Sequence, residues 1–91
     1  MSVEVRIPTV FRKFTGGRPS EEAQAGTLRD VIDELGVRYP DFKEQVLTEE
    51  GDLHRFVNAY VNDEDVRYLE RLETKVGDGD VVSLLPSVAG G

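Results

Sequence analysis

Few residues in this sequence could do chemistry, and their spacing narrows the choice further. His54 is the single histidine and there is no cysteine. Thiolate nucleophiles, disulfides and thiolate metal ligands are therefore excluded, and a zinc site would have to draw most of its ligands from carboxylates, which structural zinc seldom does. A Ser-His-Asp relay could be assembled on paper from Ser20, Ser83 or Ser87, but none lies in a nucleophile-elbow motif and so short a chain has little bulk for a cleft. His54 reads instead as a surface residue where a strand begins. Asn62-Asp63-Glu64-Asp65 has half the look of a cation loop but lacks the glycine and the distant glutamate of an EF-hand, so it reads as a solvated turn. Gly16-Gly17 is not followed by Lys-Ser or Lys-Thr and is turn chemistry rather than a phosphate loop.

The end of the sequence is different. Glycine has no β-carbon, so Gly90-Gly91 can thread a channel too narrow for other residues and offer an unhindered carboxylate to an enzyme that closes around it. The five residues Ser87 to Gly91 span at most about 17 Å when extended, at about 3.4 Å each, enough to cross the rim of a cleft while the body docks outside it. An isolated Gly-Gly would read as a frayed terminus. Placed directly behind Leu84-Leu85-Pro86, it reads as a presented reactive end.

Something must hold that end, and the chain has one domain's worth of material: 91 residues, with no linker, repeat or low-complexity stretch. With 18 acidic and 11 basic side chains its formal charge is −7, the wrong sign for gripping a phosphate backbone, so nucleic acid is not an expected partner. No basic region followed by an apolar run opens the sequence and no window is apolar enough to span a bilayer, so a cytoplasmic protein without membrane contact is expected.

The elements follow from pattern. Val3 to Ile7 alternates apolar with charged residues and predicts a strand, interrupted at Pro8 and resumed at Val10 and Phe11. The turn residues Thr15 to Pro19 lead to a second run near Glu22 to Ala25, which suggests a hairpin. Leu28, Val31, Ile32, Leu35 and Tyr39 form a helical stripe behind a Thr27/Asp30 capping box, with Gly36 weakening the last turn and Pro40 stopping it; Phe42, Val46 and Leu47 suggest a short second helix. Phe56 to Val61 predicts a third strand, Asp65 to Tyr68 a short fourth, and Val81 to Leu85 a buried strand that Pro86 ends. Along the third strand Phe56 and Tyr60 share one face while Val57, Ala59 and Val61 share the other. One set must cover the helix, and the other is a candidate contact surface. Strands, one capped helix, then strands is an α+β order in which a mixed sheet of four or five strands packs on one main helix, as in a ubiquitin-like β-grasp. Residues 1–86 would be that domain, and 87–91 a mobile tail.

Taken in order, the Val5 to Phe11 strand, the Thr27-Leu28 helix start, Val61-Asn62, Gly77-Asp78-Gly79-Asp80 and the ending Leu85-Pro86-Ser87-Val88-Ala89-Gly90-Gly91 resemble the ubiquitin-like sulfur carriers of the MoaD and ThiS type, over nearly the whole chain. Within that family, His54 to Asn58, Tyr60 to Arg67 and the Ser-Val-Ala-Gly-Gly end are most similar to the branch that serves cysteine synthesis. The resemblance implies a carrier and not an enzyme: a separate E1-like adenylating enzyme would use ATP and Mg to activate Gly91, with Gly90 behind it, and sulfur would replace AMP to give a thiocarboxylate. That sulfur would pass to a cysteine synthase that depends on pyridoxal phosphate (PLP), and a JAMM-type zinc metalloprotease would release the product. ATP, Mg, PLP and Zn would then belong to the partners, with no cofactor on this chain. Partner contacts would fall on Leu85, Pro86, Ser87, Val88 and Ala89, with Phe56 and Tyr60 from the strand face. The same tail chemistry would serve molybdopterin, thiamin or a sulfur-containing natural product, and a ubiquitin-like modifier joined to lysines through Gly91 is the alternative of another class. An interaction module with an inert tail is the least specific reading.

Overall fold

Val3 and Val5 point into the core while Glu4 and Arg6 face water, as a half-buried strand requires. This is β1 (Val3–Arg6) of a computed structural model that describes residues 2–86. The strand does not resume after Pro8. Thr9–Phe14 winds into a 3₁₀ helix, closed at its start by the Phe11 amide on the Pro8 carbonyl (2.9 Å). The Phe11 ring then stands nearly perpendicular to Phe42, with centroids 6.3 Å apart, which gives an aromatic residue with no strand partner a place against the core. Gly16 and Gly17 take φ of 65° and 82°, a left-handed conformation that other residues reach only with strain, and so turn the chain back. The returning strand β2 (Ser20–Ala23) pairs antiparallel with β1, as the hairpin pattern predicts, two residues earlier than expected.

A two-residue strand β3 (Gly26–Thr27) leads into α1 (Leu28–Arg38). The capping box is formed in both directions: the Asp30 amide donates to Thr27 Oγ1 and the Thr27 amide donates to Asp30 Oδ2, each at 3.1 Å. Leu28, Val31, Ile32 and Leu35 are the buried stripe. Gly36 does not end the helix. A β-carbon there would lie within 2.5 Å of Lys43 Cδ, so the glycine lets α2 (Pro40–Val46) pack closely against α1. Pro40 sits in the first turn of α2, where a missing amide costs nothing.

The third predicted strand appears as β4 (Val57–Val61), starting one residue later than expected. Asn62 and Asp63, at φ of 50° and 73°, turn it into β5 (Glu64–Asp65). The expected fourth strand stops there because the Asp65 carboxylate accepts the Arg67 amide (2.9 Å) and starts a 3₁₀ turn over Val66–Tyr68. After a second 3₁₀ turn, β6 (Lys75–Val76) pairs with β3 in a small separate ladder, and β7 (Val81–Pro86) returns through the middle of the main sheet. The main sheet runs β2-β1-β7-β4-β5, with β7 parallel to β1 and antiparallel to β4. The inward residues Val5, Val82, Leu84 and Ala59 pack with α1 into one core. The fold is a ubiquitin-like β-grasp with a mixed five-stranded sheet. Among the described residues no helix is long and apolar enough to cross a membrane.

Candidate functional site

Alternation along β7 sends Val82 and Leu84 into the core and leaves Ser83 and Leu85 on the outer face of the sheet. Register then fixes their neighbours. Ser20, Arg6, Ser83, Tyr60 and Asp65 lie opposite one another in a row across all five strands, and Leu85 lies opposite Asn58. Pro86, the last described residue, pairs with Val57.

Beside the end of β7 the 3₁₀ segment after Pro8 rises to form a wall. Between it and the sheet lies a groove of about 650 Å³, lined by Arg6, Val10, Arg12, Tyr60, Leu85 and Pro86 among others. The Arg12 guanidinium is held at the wall by its Nε bond to the Ile7 carbonyl (3.1 Å). Val10 is 54% exposed and Leu85 47%, an apolar pair about half covered. Exposed apolar groups beside a polar rim are the composition of a contact surface.

The start of β7 is held by polar bonds at the far end of the sheet. Asn62 Oδ1 accepts from the Val81 amide and Asn62 Nδ2 donates to Asp80 Oδ1, both at 2.9 Å, while the Gly77 amide donates to Asp80 Oδ2 at 2.8 Å. The Asn62 bond, and then the Gly77 amide, hold the Asp80 carboxyl below the usual carboxylate value. On β5 the Arg67 guanidinium does the same to Asp65 through hydrogen bonds to both carboxylate oxygens. The cluster Asn62 to Asp65 is thus a hairpin turn bonded to its neighbours, as the turn reading expects.

Of the sequence-predicted contact residues, Tyr60, Leu85 and Pro86 come together in the groove. Phe56 does not join them. It precedes β4, 37% exposed, with the Arg55 guanidinium 4.9 Å from its ring centroid and the His54 ring 5.3 Å away. His54 does not begin a strand, contrary to expectation: it lies three residues ahead of β4, partly buried before a turn, and its Nδ1 accepts the Phe56 amide at 3.3 Å. Ser87, Val88, Ala89, Gly90 and Gly91 lie outside the described residues. Sequence reasoning missed Val10, Arg6 and Arg12. Pro8 was the available signal, since an interrupted strand can place the next residues off the sheet plane. Among the described residues, no three His, Asp or Glu side chains gather as a metal site would require. Among the described residues of this face, no hydroxyl is hydrogen-bonded to a carboxylate or to His54.

A family model described as the ThiS family matches residues 5–91. The chain is 50% identical to the sulfur carrier protein CysO of Mycobacterium tuberculosis, with 100% of both chains covered. It is 32% identical to small archaeal modifier protein 3 of Haloferax volcanii, again with 100% of both covered. Among solved structures, that of the BexX/CysO complex of Amycolatopsis orientalis contains a chain that matches at a TM-score of 0.90 and 49% identity, covering 98% of this chain and 99% of that one.

Proposed function

The chain belongs to the ThiS family, and we propose that it is a sulfur carrier for cysteine biosynthesis whose reactive group is the Gly91 carboxylate. The reading is supported above all by the 50% identity to CysO across the full length of both chains, together with a family match that runs to Gly91. A free carboxylate resists nucleophilic attack because its leaving group would be oxide. An E1-like partner exchanges that leaving group for AMP: the carboxylate attacks the α-phosphorus of ATP, pyrophosphate leaves, and Gly91 becomes an acyl-adenylate. A sulfur nucleophile then displaces AMP and gives the thiocarboxylate. Nothing in this sequence needs the chain to bind ATP, PLP or a metal itself; the chemistry sits on its partners.

The body supplies the handle. Leu85, Pro86 and Tyr60 with Val10 form an apolar floor beside the point from which residues 87–91 continue, so a partner that covers the groove also has the tail within reach. Gly90 and Gly91 add no side chain at the reacting carbon, and Ser87, Val88 and Ala89 are small enough to follow them into a narrow channel. A cysteine synthase dependent on PLP is the expected acceptor and a JAMM-type zinc metalloprotease the enzyme that regenerates Gly91.

Intact-protein mass spectrometry tests the reading. After incubation with ATP, sulfide and an E1-like enzyme the chain gains about 16 Da, one oxygen exchanged for sulfur at an activated carboxyl. Deleting Gly91 abolishes the gain; a gain that survives the deletion overturns the site. The identity to an archaeal modifier protein favours one second reading, conjugation of Gly91 to lysines. It predicts lysines that carry residues 76–91 in a tryptic digest of lysate, since Lys75 is the last basic residue of the chain, and a carrier alone does not leave these.

A further inference from the structure

The edge of a sheet offers outward amides and carbonyls to any passing strand, and proteins usually block it. Strand β2 is such an edge, since β1 occupies only one of its sides. The Ile7 amide donates to the Pro19 carbonyl at 2.8 Å, one step beyond the Arg6–Ser20 pair. Alternation then makes Val5–Glu21 and Val3–Ala23 the bonded pairs and turns the backbone of Ser20, Glu22 and Gln24 outward. Two of those outward groups are taken by α1. Arg38 Nη2 donates to the Glu22 carbonyl at 2.6 Å, and Glu34 Oε1 accepts from the Gln24 amide at 2.8 Å. The two side chains, one helical turn apart, bond each other at 3.3 Å, and Arg38 Nη1 also reaches the buried Glu21 carboxylate at 2.9 Å. One acceptor and one donor on alternate residues are therefore filled as a partner strand would fill them. The opposite edge, β5, is only two residues long and offers little to pair with.

We infer that Arg38 and Glu34 form a latch over the free edge of the sheet, and that the surface beneath it pairs with β2 of a second copy of this chain once the latch is removed. A second copy is the occupant because antiparallel pairing about a two-fold axis presents one edge to itself with matched spacing. Glu22 is the second defence: with the axis at that residue, two Glu22 side chains face each other across the new ladder, and like charges so placed repel. Latch and charge together confine contacts of the sheet to its outer face, where β7 ends. This holds whatever group the tail carries.

The test is the self-association of wild type and two variants, followed by analytical ultracentrifugation over a range of concentrations. Wild type sediments as one chain. Glu34→Ala/Arg38→Ala/Glu22→Thr sediments toward twice that mass, with self-association strengthened by about tenfold or more, equivalent to about 1.4 kcal/mol. Adding Gln24→Pro to that variant removes an outward amide from the ladder and restores the single-chain mass. An unlatched variant that keeps a native circular dichroism spectrum yet stays monomeric at every concentration overturns the inference. If the triple variant does not fold, hydrogen exchange decides: Glu34→Ala leaves the Arg38–Glu21 pair intact, and the Gln24 amide exchanges about tenfold faster than in wild type. Equal exchange in the two proteins overturns the latch.

Discussion

Covering the groove beside β7 should depend on two apolar side chains in proportion to the surface they still expose. Full burial of a Leu or Val side chain is worth about 1.5–3 kcal/mol. Leu85 is 47% exposed and Val10 54%, so a partner that finishes burying them gains about 1 kcal/mol from each. Truncating either to alanine removes at most that amount, about fivefold in affinity, and the double variant Val10→Ala/Leu85→Ala loses about 2 kcal/mol, close to 30-fold. The assay is the rate of thiocarboxylate formation by an E1-like enzyme as carrier concentration is varied, read by intact mass. Loss of docking raises KM with little change in kcat, because it removes binding shared by the ground state and the transition state. Folding stability should barely move, since both residues are already half in water. Val37→Ala on α1 is the control: its side chain is 83% exposed and lies on the opposite side of the sheet from the groove. A double variant with wild-type KM, or a Val37→Ala variant with the same defect, would refute the placement of the docking surface.

Three further perturbations test how the body is held. Glu21, whose side chain is 4% exposed, lies between Arg18, Arg38 and the Tyr39 hydroxyl; Glu21→Gln should lower unfolding free energy in urea by about 1–3 kcal/mol, reduced because both arginines reach solvent. Asn62→Gly keeps the left-handed turn but loses the bonds to Val81 and Asp80, a loss of about 1 kcal/mol. Asn62→Ala loses the bonds and adds the strain of a β-carbon at positive φ, so it should melt lower than Asn62→Gly; equal melting temperatures would refute the backbone argument. Asp65 and Asp80 are both held below the ordinary value of 3.8 in the folded chain. Their contribution is therefore present above that value and lost as pH falls through the lower folded values. Wild type should lose melting temperature in that acid range more steeply than Asp80→Asn, and parallel pH profiles would contradict it.

Where a residue's role is settled by its near neighbours, the sequence already displayed it. Thr27 and Asp30 lie three apart, and the capping box they form is a local hydrogen-bond exchange. The alternation from Val3 to Ile7, the Asn62-Asp63 turn and the helical stripe are likewise short-range patterns. The failures have distant causes. Nothing near Gly36 announces that Lys43 of the next helix occupies the place of its missing side chain. Phe11 has an apolar neighbour in sequence and so resembles a strand residue, yet Phe42, far along the chain, is what receives it. The β3–β6 ladder joins Gly26 to Val76, with only two residues on each side and no periodicity to detect. The candidate site shows the same division. Parity alone placed Tyr60 on the outer face, but it failed for Phe56, because the Val57 amide closes onto the His54 carbonyl (2.9 Å) and the strand begins only after that turn.

The position of β7 in the sheet is the link between fold and proposed role. A tail drawn into another protein's cleft pulls on the strand that carries it. On an edge strand such as β2 or β5 that pull would be resisted by one ladder, which can peel bond by bond. β7 instead has β1 on one side and β4 on the other, paired with Glu4 to Arg6 and with Val57 to Val61, and its start is tied through Asn62 and Asp80. Displacing it requires breaking two ladders and exposing Val82 and Leu84, both buried, so its opening should approach the cost of unfolding the whole domain. The groove residues Leu85 and Pro86 stand at the last pairs of that strand, opposite Asn58 and Val57. Beyond Ser83 only the β4 ladder continues, with Leu84, Leu85 and Pro86 opposite Ala59, Asn58 and Val57, so a pull from the C-terminal side meets one ladder at first and both from Ser83 inward.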